Sequence, residues 1–244
     1  MAMPNQFRKM LRPTNSIKDS GQQDLEPLEE TFKKAGLEQG LQIWRIVELR
    51  LQEIPISHHG QFFTGDSYII LDTTKFRDGS RRWNLHFWLG DKSTKDETTA
   101  APIIATQLDD FLQGGPVQYR ELQGFESPQF IKYFKNQAGI IYKEGGYDSV
   151  RYNRKVKSNI RECRRVLHIK GKKTVRAQEV PAKWESFNSG DCFIIEIDNN
   201  IYKWKGSHAN RMEVFKATEI ATQIRDAETG GRARIHELSE NGFL

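Results

Sequence analysis

Hydrophobic and polar residues alternate along several short segments of the chain, and one longer segment in each half has helical spacing. Alternation with a period of two predicts strands, whereas apolar residues at intervals of three and four predict a helix. In the first half, the strands are predicted at 41–47, 67–71, 83–89 and 117–122, and the helices at 95–112 and 128–134. In the second half, the strands are predicted at 164–170, 174–180, 191–197, 201–204 and 233–238, and a helix near 208–226.

The two halves also repeat one another at individual positions. Four residues of the first copy return in the second: Gly65, Asp66, Trp88 and Glu97 correspond to Gly190, Asp191, Trp204 and Glu213. The tryptophan and the glutamate are 9 residues apart in both copies. From the aspartate to the tryptophan the first copy has 22 residues and the second has 13, which indicates a longer hairpin in the first. A duplication with a period of about 125 residues predicts two domains of similar fold.

The sequence divides into four segments. Residues 1–38 are a polar and basic tail that we expect to be mostly disordered, with a short helical pattern at 28–34. A first domain at 39–136, a basic linker at 137–162 and a second domain at 163–244 follow. We expect an α+β fold, in which each domain has a central mixed β-sheet flanked by a long helix and a short helix. With 244 residues and 37% hydrophobic content, the chain can bury two modest cores.

Several classes of function have no signature in this sequence. No apolar run approaches the roughly 18 residues of a membrane span, and the first residues lack the apolar core of a secretory signal. The two cysteines, Cys163 and Cys192, form no metal or redox motif, which suits a reducing cytosol. The histidines lie outside any nucleophile motif, and no Walker-type phosphate loop occurs, so we expect no enzymatic activity.

Positive charge is concentrated around the predicted linker. From Lys132 to Arg176 there are fourteen Lys and Arg residues against three acids, a local net charge of +11 in a chain whose total is +5. Such a segment is either a solvated linker or a binding surface for an anionic partner. A nucleic-acid partner is disfavoured because few aromatic residues are interleaved with the basic ones.

The repeated acidic residues are candidate calcium ligands. In each copy an aspartate stands at a strand start and a glutamate stands at the start of the long helix, and calcium prefers such oxygen donors. The pairs are Asp66 with Glu97 and Asp191 with Glu213. The alternative is structural, because Thr94 followed by Glu97 has the spacing of a helix capping box, as has Asn210 followed by Glu213. Spacing alone leaves both interpretations open.

Several segments resemble the gelsolin, villin, severin and fragmin family. The first domain of that family is matched by FFTGDSYIIL (62–71), LHFWLG (85–90), QLDDFL (107–112), VQYRE (117–121) and QGFESP (123–128). The second is matched by VRAQEVP (175–181), WESFNSGDCFI (184–194) and GGRARIH (230–236). The resemblance covers about residues 40–236 and implies two gelsolin-like domains. It further implies calcium-regulated actin binding with filament severing and barbed-end capping, or alternatively capping or monomer binding without severing.

The resemblance also implies three calcium sites. The first would use the Gly65 carbonyl, Asp66, Glu97 and a backbone carbonyl near Tyr147. The second would be shared with an actin carboxylate and would use three positions of this chain: Asp109 and backbone carbonyls near Gly114 and Pro116. The third would use three positions of the second domain: Gly190, Asp191 and Glu213. Its further acidic ligand comes, in the family, from chain beyond the second domain, so we expect weaker binding there.

The long helix of the first domain is the part that enters the actin cleft in this family. The matching positions are Ile103, Ile104, Thr106, Gln107 and Asp110. The alternative for the isoleucines is an ordinary place in the core, which helical spacing alone favours. Pro102 departs from the family's usual small residue and predicts a kink, or a regular helix that begins there.

Two further expectations come from the resemblance. Family members bind phosphoinositide lipids through basic runs, and the corresponding residues are Lys135, Lys143, Arg165, Lys170, Lys172 and Lys173. Secreted members bridge the strand cysteine of the second domain to a nearby cysteine. Here Cys192 has no such partner, because Lys205 stands at that position. We therefore expect a cytoplasmic protein of the actin cytoskeleton, with actin monomers, actin filaments and phosphoinositides as partners.

Overall fold

The computed structural model describes residues 27–136, 139–147, 163–172, 174–240 and 242–243. Residues up to Tyr147 form helices α1 (Leu28–Lys34), α2 (Lys95–Phe111) and α3 (Pro128–Tyr133), with strands β1 (Gly40–Val47), β2 (Arg50–Glu53), β3 (Gln61–Phe63), β4 (Ser67–Lys75), β5 (Arg81–Leu89), β6 (Val117–Leu122) and β7 (Ile141–Lys143). The later residues form strands β8 (Cys163–Lys170), β9 (Arg176–Val180), β10 (Cys192–Ile197), β11 (Asn200–Lys205), β12 (Arg234–Ser239) and β13 (Gly242–Phe243), with helix α4 (Arg211–Gln223). A π-helical turn (Ile224–Glu228) follows α4.

Both groups of elements combine strands and helices in the same way. Each is built on a mixed sheet with one long helix packed against it. The expected α+β class is therefore confirmed. Within the described residues, no helix is both long enough and apolar enough to cross a membrane.

The first sheet has the strand order β2-β1-β4-β5-β6. Its neighbouring strands are antiparallel except for β5 and β6, which are parallel because α2 crosses over between them. The second domain repeats this arrangement: β11 and β12 are parallel, and α4 connects them. The duplication seen in the sequence is therefore a duplication of topology.

The second sheet extends across both domains. Its order is β13-β12-β11-β10-β8-β9-β7-β3, in which β7 lies between β9 of the second domain and β3 of the first. Strand β7 is parallel to both neighbours. Its residues lie in the segment expected to be a linker, and a strand of three residues is too short to produce a periodic pattern. The segment that joins the domains is thus also part of their shared sheet.

The first domain has hydrophobic cores on both faces of its sheet. Helix α2 packs on one face through Ala101, Ile104, Ala105 and Leu108, all of them buried. On the other face, α3 contributes Phe130 to an aromatic cluster that surrounds the buried Phe62. The long helix is thereby held in a fixed position, with its remaining face outside the core.

Residues 27–38 pack against the first domain. Helix α1 buries Phe32, whose ring lies 5.9 Å from the ring of Phe111 in α2. Gly36 ends this segment with a positive φ of 68°, which glycine adopts without a steric penalty. The helical pattern at 28–34 therefore marks a packed helix rather than part of the tail, and the rest of the predicted tail, up to residue 26, lies outside the described residues.

Helix α2 continues through Pro102 from Lys95 to Phe111. A proline removes one backbone hydrogen bond, to the carbonyl four residues earlier. Threonine hydroxyls bond other carbonyls of the helix, since Thr99 donates to the Lys95 carbonyl at 2.8 Å and Thr106 donates to the Pro102 carbonyl at 2.9 Å. The regular helix thus begins before Pro102, so the expectation that it begins at Pro102 is wrong.

Candidate functional site

A cavity of about 270 Å³ lies where β1, the start of β4, the start of α2 and the end of the 139–147 segment meet. It is lined by Val47, Glu48, Gly65, Asp66, Thr94, Glu97, Gly146 and Tyr147. The four positions predicted for the first calcium site, which are far apart in sequence, are all among these residues: Gly65, Asp66, Glu97 and Tyr147.

Asp66 is the buried carboxylate of this cavity, with only 1% of its surface exposed. Its Oδ1 accepts a hydrogen bond from the backbone N–H of Tyr147 at 2.9 Å. Its Oδ2 lies 3.2 Å from Nε of Arg45 on strand β1. The aspartate therefore ties the segment after β7 to the start of β4.

Glu97 caps helix α2 and also lines the cavity. Its Oε2 accepts the N–H of Thr94 at 3.1 Å, and the Thr94 hydroxyl accepts the N–H of Glu97 at 3.3 Å. This is the capping box that the spacing predicted. The structural role is therefore present, and it places the carboxylate at the cavity wall.

The residues around the cavity fit a calcium ion. The available donors are carboxylate and backbone oxygens, which calcium prefers. Two glycines allow the chain segments to approach closely, since a Cβ on Gly146 would lie 2.5 Å from Asp66 Oδ1 and a Cβ on Gly65 would lie 2.7 Å from the Gly145 carbonyl oxygen. Among the described residues no group of three or more acidic, His or Cys side chains could hold a metal alone. Backbone carbonyls would therefore have to complete the coordination.

The corresponding residues of the second domain are occupied by other contacts. Asp191 Oδ2 is 2.7 Å from His168 Nε2 and 2.9 Å from Asn188 Nδ2. Burial alone would raise the pKa of Asp191, but the hydrogen bonds from His168 and Asn188 outweigh it and hold this pKa below its usual value. Asp191 is therefore ionised at neutral pH. Gly190, beside it, donates its N–H to Asn188 Oδ1 at 2.8 Å.

Glu213 is the capping residue of helix α4 and is 2% exposed. Its Oε1 accepts the N–H of Gly171 at 3.0 Å, and its Oε2 accepts the N–H of Asn210 at 3.0 Å. Each carboxylate oxygen of Glu213 therefore accepts one backbone hydrogen bond. Nearby, burial raises the pKa of the Cys192 thiol to about 11, so this cysteine stays protonated.

The residues predicted to contact actin divide between two faces of α2. Thr106 and Asp110 are exposed, and Ile103 and Gln107 are half-buried. Ile104 is only 3% exposed and belongs to the hydrophobic core with Leu108. The core alternative therefore holds for Ile104, which does not share the outer surface with Ile103.

Asp109 lies near the end of α2, where a second ion was predicted. Its Oδ2 accepts a hydrogen bond from Gln118 Nε2 at 2.7 Å, whereas its buried Oδ1 has no hydrogen-bond partner among the described residues. Gly114, with a φ of 69°, and the buried Pro116 follow in the loop between α2 and β6. A buried carboxylate oxygen without a hydrogen bond is unusual in a folded protein, and a cation or a donor would satisfy it.

The predicted lipid-binding residues do not form one surface. Lys135, Lys170 and Lys172 are exposed, and Lys143 is half-buried, with Nζ 3.3 Å from Gln61 Oε1. Arg165 is 8% exposed and ion-paired with Glu196 and Glu228, which corrects its prediction as a lipid-binding residue on the same surface as Lys170. Alternation along β8 is the reason, because residues 165 and 170 point to opposite faces of the strand. Lys173 lies outside the described residues.

Two charged residues were not predicted from the sequence: Glu48, which lines the first cavity, and Arg45, which lies beside it. Glu48 and Leu49 form the two-residue turn between β1 and β2, and both have positive φ, 49° and 61°. This turn brings Glu48 to the cavity wall. Arg45, three residues earlier, contacts Asp66. Neither residue recurs in the second copy as the same amino acid, so the repeat pattern did not identify them.

Comparison with known proteins assigns the family. A family model described as the gelsolin repeat matches residues 49–131 and 173–242. The chain belongs to the gelsolin family. Two gelsolins, from Gallus gallus and Drosophila melanogaster, are 53% and 43% identical to it over 211 residues. Both alignments cover 86% of this chain and 26% of the relative, so the chain spans about a quarter of the length of these gelsolins.

A solved structure is also similar to the chain, the crystal structure of the Thorarchaeota 2DGel3/rabbit actin complex. The match covers 84% of this chain and 95% of that one, with a TM-score of 0.33 and 22% sequence identity, a level that carries no argument about function. The two gelsolin repeats carry the assignment instead. One matched range contains Asp66 and Glu97, and the other contains Asp191 and Glu213.

Proposed function

We propose that this chain is a calcium-regulated actin-binding protein that severs filaments and caps their barbed ends. The first domain would bind in the hydrophobic cleft of an actin subunit, and the second would bind the side of the filament. The single observation that carries the proposal is the cavity in which Asp66 and Glu97 of a gelsolin repeat meet. Such a protein would work in the cytoplasm on the actin cytoskeleton.

The outer face of α2 supports actin binding by the first domain. A helix that binds in a groove needs apolar residues outside its own core. Ile103 is half-buried, and Phe111, two turns further along the helix, is 47% exposed. Thr106 and Asp110, both exposed, provide polar contacts beside them. The inner face is meanwhile committed to the sheet, which keeps the outer face in a fixed position.

Calcium regulation is supported by the donors around the first cavity. Asp66, Glu97 and the backbone carbonyls of Gly65 and Tyr147 would hold the ion. A bound calcium ion supplies positive charge that joins oxygen donors from separate segments. Because Tyr147 follows the shared strand β7, the bound state would fix the chain between the two domains.

The other two predicted ions have weaker support. At the second, Asp109 with the carbonyls near Gly114 and Pro116 would form half of a site that an actin carboxylate completes, in agreement with an Asp109 Oδ1 that no described residue hydrogen-bonds. At the third, formed by Gly190, Asp191 and Glu213, calcium would compete with the two side chains, His168 and Asn188, that already contact Asp191 Oδ2. We therefore propose that the first site binds calcium most tightly.

Phosphoinositide binding would use the exposed lysines. Lys170 and Lys172 flank Gly171 at the end of β8, and Lys170 has a side chain that is 70% exposed. Each basic residue near an anionic membrane surface contributes about 1 kcal/mol of attraction. Lipid bound to these lysines would compete with the side of the actin filament for binding to the second domain. Arg165 takes no part, because Glu196 and Glu228 neutralise it in the interior.

A filament-dilution assay tests this proposal. Fluorescently labelled actin filaments are diluted below their critical concentration with the protein, in calcium and in chelator. We expect faster depolymerisation in calcium, because severing creates new ends. Slower depolymerisation would indicate capping without severing, and equal rates with and without the protein would refute both severing and capping.

A further inference from the structure

Arg45 places a positive charge directly beside the proposed calcium site of the first domain. Its Nε lies 3.2 Å from Asp66 Oδ2, and the two side chains are 11% and 2% exposed. Screening by water is weak at this degree of burial, so the charge of Arg45 acts strongly on the cavity. A calcium ion bound by Asp66 would be close to this guanidinium.

The surroundings of Arg45 hold its guanidinium at this position. It lies 4.5 Å from the ring centre of Phe63 and 5.8 Å from that of Tyr68. In the sheet, Arg45 of β1 is directly opposite Tyr68 of β4, two residues after Asp66. Cation–π contacts and the strand register thus both keep the charge beside the carboxylate.

The second domain has a basic residue at the same register position. His168 of β8 is directly opposite Phe193 of β10, which is two residues after Asp191. Its ring stacks on Phe193 at 4.6 Å, and its Nε2 is 2.7 Å from Asp191 Oδ2. Both repeats therefore hold a basic side chain, stacked on an aromatic ring, against the carboxylate of the Gly-Asp pair.

We propose that Arg45 is a positioning residue that sets the calcium affinity of the first site. In the calcium-free protein it holds the Asp66 carboxylate oriented toward the cavity. In the calcium-bound protein it remains beside the ion and opposes it, which lowers the affinity. The inference rests on the proposed calcium site. Glu48 at the cavity wall adds a negative charge, which favours calcium binding and so acts against the effect of Arg45.

Calcium titration of the whole chain tests the inference. The variants are Arg45→Gln, which removes the charge, Arg45→Lys, which keeps it, and Asp66→Asn, which removes a ligand. Arg82→Gln is the matched control, because Arg82 of the same sheet also lies over an aromatic ring, 5.6 Å from the centre of Phe76, but away from the cavity. The amide signals of Gly65 and Tyr147 in an NMR titration report the first site separately from any other.

We expect Arg45→Gln to bind calcium about tenfold more tightly than the wild type, because one repulsive charge is gone. In chelator the same variant should melt roughly 5 °C lower or more, since the buried Asp66 loses the charge of Arg45. Calcium should restore most of this loss. Arg45→Lys and Arg82→Gln should keep the wild-type affinity within about threefold, because both leave a charge beside Asp66.

Each other result has a definite meaning. Unchanged or weaker calcium binding by Arg45→Gln would overturn the inference, and equal loss of stability with and without calcium would show a purely structural role. If Arg45→Gln is unfolded in chelator, recovery of its circular dichroism spectrum on addition of calcium supports the inference, and no recovery contradicts it. Absence of calcium binding by the wild type would instead refute the proposed site itself.

Discussion

Two adjacent isoleucines of helix α2 provide the sharpest test of the actin-binding face. Ile103 is half-buried on the outer face, whereas Ile104 is 3% exposed in the core. The same substitution at these positions should therefore have different effects. We expect Ile103→Asp to weaken actin binding and leave the fold intact, and Ile104→Asp to unfold the first domain.

The expected magnitudes follow from burial. Burying an isoleucine contributes about 1.5–3 kcal/mol, and the lower value applies to Ile103 because part of it is already covered. A carboxylate desolvated in an apolar groove adds a cost of at least about 2 kcal/mol. Together these predict a loss of about 3–4 kcal/mol, or more than a hundredfold in the affinity for actin monomers.

Substitutions at the core position, Ile104, should mainly change the free energy of unfolding. Even Ile104→Ala should lower the free energy of unfolding by about 2–5 kcal/mol, because it leaves a cavity among well-packed side chains. Ile104→Asp also buries a charge, and the free-energy cost of burying it approaches the total stability of a domain, about 5–15 kcal/mol. At Ile103, replacement by alanine should change the free energy of unfolding by less than about 1 kcal/mol.

Calorimetry with monomeric actin and thermal melting followed by circular dichroism measure both effects. Ile103→Asp with wild-type affinity for actin would refute the assignment of the outer face. Ile103→Asp that unfolds while Ile104→Asp remains folded would show that the two faces of α2 are assigned in reverse.

Three further predictions concern the calcium site, the lipid surface and the contact between the domains. Asp66→Ala combined with Glu97→Ala should abolish calcium binding at the first site, because two charged ligands are removed; an unchanged calorimetric titration would contradict this. Inhibition of severing by phosphoinositide vesicles should disappear when three lysines are changed to glutamine: Lys170, Lys172 and Lys173. Inhibition that survives would place the lipid site elsewhere. Arg176→Gln should lower the free energy of unfolding by about 1–3 kcal/mol, measured by urea denaturation, because the buried carboxylate of Glu126 loses its ion pair at 2.7 Å; equal stability would show that this contact is not stabilising.

The sequence by itself determined the duplication and the main elements of both domains. Strands β4 and β5 and helix α2 were predicted within a few residues of their ends, because each is long enough for hydrophobic spacing to show its period. The capping roles of Glu97 and Glu213 could also be predicted, since a capping box depends on residues only three positions apart. Local interactions leave local patterns, and a sequence displays those patterns directly.

Only the tertiary structure decided which residues meet across long distances in the chain. Strands β3 and β7, three residues each, have no readable period, and their pairing depends on where two domains come together. Ile103 and Ile104 have the same side chain, so only packing against the sheet distinguishes them. The contact between Arg45 and Asp66 likewise arises from strand pairing between residues 21 positions apart, because a charge finds its partner through folding and not through sequence spacing.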